Sequence, residues 1–308
     1  MTAIGTQIQA SEYVAIQDTA ELLLGPGTAT RGYGQPVQST DVFSGNAITK
    51  AQWDALRYDV VSIRLHQDGV VPAGIVAVAI GDVIGYGSSS PNTNYAILLQ
   101  TADTNRFQIN ASQSIITARG SAVRTTSWSS LCEFTLTANF STADQARYFF
   151  NSGGKIRFTP TLTGGTTTQQ YNAWVNILNS VATRSFGAVT DPGPGANPTV
   201  NYYTLTNAYQ TYYQREASSP YSANTFRLEA KTNVANNSTG TATQLLLKVT
   251  LVDNYVDPYP DPSFLPTDLV DGTLTISVDE LKASGSLIPS GTFTITSPTY
   301  SLSAITGS

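Results

Sequence analysis

The sequence predicts a mainly β chain with a few short helices, an α+β protein made of an antiparallel β-sandwich-like domain plus a mixed N-terminal region. Three observations carry that expectation. Several runs alternate apolar and polar residues with the period of two that a half-buried strand requires. Three apolar stripes with helical spacing begin at side chains able to cap a helix. Gly, Ser, Asn and Pro divide the strand candidates, which favours antiparallel sheets over repeated βαβ units.

The clearest helix begins after Thr49, whose hydroxyl pairs with Gln52 three positions on as a capping box. Trp53, Leu56, Val60 and Ile63 fall on one face, and Gly69 is placed to end the helix. Ser141 and Asp144 form a second capping pair opening a helix from Ala143 to Phe150, stopped by the NSGG sequence at Asn151–Gly154. A third helix is expected from Thr166 or Thr167, with Tyr171, Trp174, Leu178 and Val181 as its apolar stripe. A weaker pattern spans Ser11 to Leu24.

The strand candidates follow in order. Cys132, Phe134, Leu136, Ala138 and Phe140 alternate with polar neighbours, as do Ile156, Phe158 and Pro160. Pro160 has no N–H for a ladder and marks an edge or a strand end. Phe226, Leu228 and Ala230 are expected to pair with Leu245, Leu247, Val249 and Leu251 across an NNSTGT turn. Leu274, Ile276 and Val278, then Phe293 and Ile295, complete the set. This divides the chain into an N-terminal mixed helix and glycine-rich assembly region, residues 1–120, and a β-rich domain with two inserted helices, residues 121–308. The proline-rich segment 191–200 is a possible sub-boundary.

Charge is sparse. Only 12% of the 308 residues are Asp, Glu, Lys or Arg, against about 25% in an ordinary globular chain. Sixteen basic against twenty-one acidic residues, with no basic cluster, argue against nucleic acid as a partner. The longest apolar stretch, Val70 to Tyr86, is interrupted by Pro72, Gly74, Gly81, Asp82 and Gly85, so no membrane span is expected. A single cysteine rules out an intrachain disulfide.

Few residues invite chemistry. His66 is the only histidine, and Asp59 or Asp68 would have to orient it as a general base. The bland alternative is a C-terminal helix residue that interacts with the helix end or a neighbouring subunit. Cys132 lies on the apolar phase of its strand, where burial raises the thiol pKa. Gly25, Gly27, Gly32 and Gly34 suit an anion cradle or, far more simply, a turn. Asp253, Asp257 and Asp261 have oxygen ligands for calcium, while Pro258, Pro260 and Pro262 favour a rigid extended connection. Tyr202, Tyr203, Tyr209, Tyr212 and Tyr213 read as aromatic anchors for subunit packing, with internal core and ligand stacking as alternatives. No catalytic, cofactor-binding or metal residue is therefore assigned, and the chain is expected to be no enzyme.

Five phrases resemble virion structural proteins (tail, baseplate, neck or fibre components) of contractile-tailed bacteriophages that infect cyanobacteria and other aquatic bacteria. They are RGYGQPVQS at Arg31–Ser39, ITKAQWDALRYDVVSIRLHQDG at Ile48–Gly69, ADQARYFFNSGGKIRF at Ala143–Phe158, SSPYSANTFRLEAKT at Ser218–Thr232 and VDGTLTISVDELKASG at Val270–Gly285. The resemblance implies a chain assembled in the host cytoplasm into a virion. Its partners would be other copies of itself, as trimer or hexamer, and other virion proteins. The alternative is a receptor- or polysaccharide-binding module with a host glycan as partner.

Overall fold

A computed structural model describes residues 9–79, 94–255 and 269–308. In chain order these form α1 (Ala10–Leu24), α2 (Lys50–Asp68), α3 (Tyr95–Thr104), β1 (Ser114–Arg124), β2 (Leu131–Asn139), α4 (Ala143–Asn151), β3 (Lys155–Thr163), α5 (Gln169–Val181), β4 (Arg184–Gly187), β5 (Gln210–Glu216), β6 (Thr225–Thr232), β7 (Gln244–Val252), β8 (Thr273–Ala283), β9 (Thr299–Leu302) and β10 (Thr306–Gly307). The chain has the expected α+β character: two antiparallel sheets and a handful of short helices. Two compact units arise, and neither is continuous in sequence. The first gathers Met1–Ile115, Asp144–Gly154 and Lys282–Ser297; the second holds Ile116–Ala143, Lys155–Leu281 and Pro298–Ser308.

In the first unit α2 is the central element. Thr49 caps it as a capping box with Gln52, and Gly69 closes it at φ 75°, a left-handed conformation that glycine adopts without a Cβ clash. Trp53, Leu56, Val60 and Ile63 are buried as the stripe predicts. The tyrosine ring of α1, Tyr13, lies 6.3 Å from Trp53, and Tyr95 at the head of α3 lies 4.9 Å from Trp53 on its own contact. Trp53 thus joins three helices. No apolar stripe had pointed to α3, although Asn94 accepts a bond from the Ile97 N–H as an ordinary cap.

The second unit is built from a four-stranded sheet, β1-β8-β3-β4, and a larger sheet ordered β10-β2-β7-β6-β5, with β9 also on β2. The hairpin expected between the Phe226 and Leu245 runs is present, with Phe226 opposite Leu251 and Leu228 opposite Val249. Apolar phases of both sheets share one core: Phe134 of β2 meets Phe158 of β3 edge-on at 6.3 Å, and Phe186 of β4 lies 4.9 Å from Tyr212 of β5. Pro160 sits inside β3, opposite Ile276 of β8 and beyond the end of the β4 pairing at Phe158–Arg184. It occupies a position where β3 has one neighbour, which spares the ladder its missing N–H.

Three expectations need correction. Helix α5 starts at Gln169 with Thr168 as cap, its Oγ1 accepting from the Tyr171 N–H at 3.1 Å. Thr166 is engaged elsewhere, its N–H and hydroxyl both donating to Asp271. Phe293 and Ile295 are buried but form no strand; their segment is held in the first unit by the Phe293 N–H donating to the Gly285 carbonyl and by the Gln35 amide on the Thr294 backbone. The tyrosine run, finally, contains a strand, β5, and the alternation rule missed it because a register shift between Thr211 and Tyr213 turns two successive rings inward.

Candidate functional site

In the first unit three of the virion-like phrases meet around Tyr33. Its hydroxyl donates to the Arg106 carbonyl at 2.8 Å and accepts from Gln67 Nε2 at 2.8 Å. Its ring lies 5.0 Å from the His66 ring and 5.7 Å from Phe293. The glycine loop before it turns back on α1: the N–H groups of Tyr33, Gly34 and Gln35 donate to the carbonyls of Leu23, Gly25 and Leu24. Those donors are thereby used within the chain. A Cβ on Gly34 would fall 2.3 Å from the Tyr148 ring of α4, so only glycine fits. Helix α4 completes the knot, Arg147 donating to the carbonyls of Pro26 and Arg31 and Asn151 to those of Ala29 and Gly32.

His66 is 1% exposed and stacks on Phe293 at 4.3 Å, with 10° between the planes. Nε2 lies 3.1 Å from the Ser152 carbonyl, and Nδ1 has no hydrogen-bond partner among the described residues. Burial pushes its pKa down to about 4, against a smaller opposing effect of the Ser152 carbonyl. The hydrogen bond to a carbonyl requires a proton on Nε2, and the lowered pKa leaves the ring neutral at pH 7. Neither proposed orienting carboxylate reaches it. Asp59 accepts from the Gln38 and Ser39 N–H groups and the Ser39 hydroxyl, and Asp68 pairs with Arg64. His66 is thus a core residue, packed on Phe293 and the Ser152 carbonyl and not on its own helix end.

The other candidates also turn inward. Cys132 is fully buried, and desolvation raises its thiol to about 12. Asp253 is 4% exposed and accepts from Gln170 Nε2 at 2.6 Å and Trp174 Nε1 at 2.9 Å. Burial raises its carboxyl pKa against those bonds. Asp257 and Asp261 lie outside the described residues, as do Tyr259 and the 80–86 part of the long apolar stretch. Among the described residues no cluster of His, Cys, Asp and Glu suits a metal ion, and no helix is long and apolar enough to cross a membrane.

The tyrosines need the largest correction. Tyr202, Tyr203, Tyr212 and Tyr213 are buried within this chain, and only Tyr209 remains partly exposed, with Lys231 and Lys248 over its ring at 4.5 and 4.6 Å. Four of the five anchors therefore belong to the chain's own core. They offer nothing to a neighbour.

Two features of the second unit were not anticipated. Glu280 lies on the inward phase of β8 with 0% side-chain exposure, accepting from Arg119 Nη2 at 2.7 Å and from the Tyr300 hydroxyl at 2.5 Å. Burial, and then the Glu280 charge, hold the Tyr300 phenol well above its ordinary pKa. The second feature is β1 itself. It forms an end of its sheet, with β8 as its strand neighbour among the described residues. Ile115, Ile116 and Val123 along it are 46%, 54% and 54% exposed. Its two charges are occupied, Arg119 by Glu280 and Arg124 by the carbonyls of Thr126 and Ser127. Proteins usually blunt such an edge with lysine, proline or brevity; β1 runs eleven residues and has neither residue. By contrast β4 has four residues, and β5 is met by Gly195 and Asn197 through backbone bonds.

No family model, no curated protein and no solved structure matches this chain.

Proposed function

We propose that this chain is a structural component of a tailed-phage virion, acting by protein–protein assembly in the tail, baseplate or neck. The observation that carries the reading is the edge of β1, which has no strand neighbour beyond β8 among the described residues. A strand edge presents alternating N–H and C=O groups that pair with any extended partner chain, and the exposed isoleucines and valine beside it add apolar area that association removes from water. Sparse charge on the whole chain lowers the repulsion among many copies packed around an axis. The five virion-like phrases supply the setting, and three of them pack together around Tyr33. In this reading the protein works without catalysis, and trimers or hexamers are the expected assemblies.

Replacing Ile116 and Val123 together by lysine tests the reading on purified protein. Both side chains are solvent-exposed, so folding stability should change by less than about 0.5 kcal/mol per site. Native mass spectrometry should find the unaltered chain as an oligomer and the double variant as a monomer with an unchanged circular dichroism spectrum. An unaltered chain that stays monomeric at high concentration, or a variant that assembles as well as its parent, contradicts the proposal.

A further inference from the structure

Helix α5 has two unlike faces. Tyr171, Trp174, Leu178 and Val181 are buried, whereas Gln169, Asn172 and Asn176 recur at spacings of three and four on the outward side, one above the other. That amide row forms one wall of a groove of about 300 Å³, and the chain from Arg215 to Tyr221 forms the other, at the end of β5 and in the turn towards β6. The whole groove belongs to the second unit.

Its chemistry is specific in what it holds. Among the described residues the side chains of Gln169, Asn172, Asn176 and Arg215 make no hydrogen bond or ion pair, while Glu216 accepts one long bond, 3.4 Å, from Gln214. Helix α5 carries no charged residue at all, so the row is not the Lys and Glu mixture of a merely solvated face. Each amide offers two donor hydrogens and a carbonyl acceptor, which matches the paired donor and acceptor character of neighbouring hydroxyls. Arg215 and Glu216 cancel in net charge while adding a donor and an acceptor. Tyr221 is half-buried, its ring braced by Tyr255 at 4.4 Å, and gives the groove an aromatic wall against which the C–H face of a sugar ring can pack.

From this geometry we infer that the groove between α5 and the β5–β6 turn binds a neutral oligosaccharide. The inference goes beyond the assembly reading and does not depend on it, since β1 and the groove share no residue. Titration calorimetry on the full chain with maltohexaose, mannohexaose and chitohexaose tests it, with hexagalacturonate as the acidic comparison. At least one neutral hexamer should bind saturably. Affinity should fall roughly tenfold or more in Asn172→Ala/Asn176→Ala and in Tyr221→Ala, the equivalent of one or two hydrogen bonds or one stacked ring. The amide pair has no protein partner to lose, so its thermal unfolding should match the parent's. Absence of saturable binding by all three neutral hexamers, binding of hexagalacturonate alone, or binding that survives both variants overturns the inference.

Discussion

Glu280→Ala is expected to destabilise the second unit by about 3–5 kcal/mol, the cost of leaving a buried ion without its partner. The carboxylate is fully enclosed and accepts from Arg119 and Tyr300. Removing it takes the acceptor from a guanidinium that is 24% exposed and from the half-buried Tyr300 hydroxyl, which water reaches only in part. The same reasoning fixes the sign of a second variant. Converting all three at once, Glu280→Leu with Arg119→Met and Tyr300→Phe, removes every orphaned group and should recover most of the loss. Chemical denaturation of the three proteins measures both effects. A Glu280→Ala chain as stable as its parent, or a triple variant no better than the single one, would show that the cluster does not act as a buried ionic unit.

Acid is expected to weaken the first unit through His66. In the unfolded chain the imidazole titrates near 6.5, whereas burial against Phe293 lowers it to about 4 in the folded state. Between those values the unfolded chain binds a proton that the folded chain does not. The contribution is therefore complete above pH 6.5 and is lost as pH falls to about 4, for a total of about 3 kcal/mol. Asp59 acts in the opposite sense, because burial raises its carboxyl and the folded state accepts that proton more readily. His66 is the only histidine, and the raised carboxyls of Asp59 and Asp253 oppose it, so comparison with His66→Phe isolates its share. Relative to His66→Phe, the parent should lose stability from pH 7 to 6 to 5, and a difference that does not change with pH would refute the assignment.

Much of the fold was legible because the signals were local. The Thr49–Gln52 pair and Gly69 marked both ends of α2, since a cap satisfies backbone groups within one turn. Alternation in β2 and β7 reported which face each strand buries. Partners lay further off. Periodicity says that Phe293 is apolar, not that it stacks on a histidine more than two hundred positions earlier. Glu280 is polar on an apolar phase, a visible anomaly whose meaning needed Arg119 and Tyr300 from two other strands. The tyrosine run misled for a related reason: its composition suits an interface and a core equally, and a bulge in β5 decided for the core. Edge status, likewise, belongs to the sheet order and not to the residues of β1.

Tracing this chain in a reconstruction of the intact virion tests whether β1 is completed by a neighbouring chain in an assembled particle. The expected result is several symmetry-related copies, each with the outer edge of β1 hydrogen-bonded to a strand or extended segment of the next protein and with Ile116 and Val123 covered. Particles that lack the chain, or that contain it with β1 open to water, would contradict it.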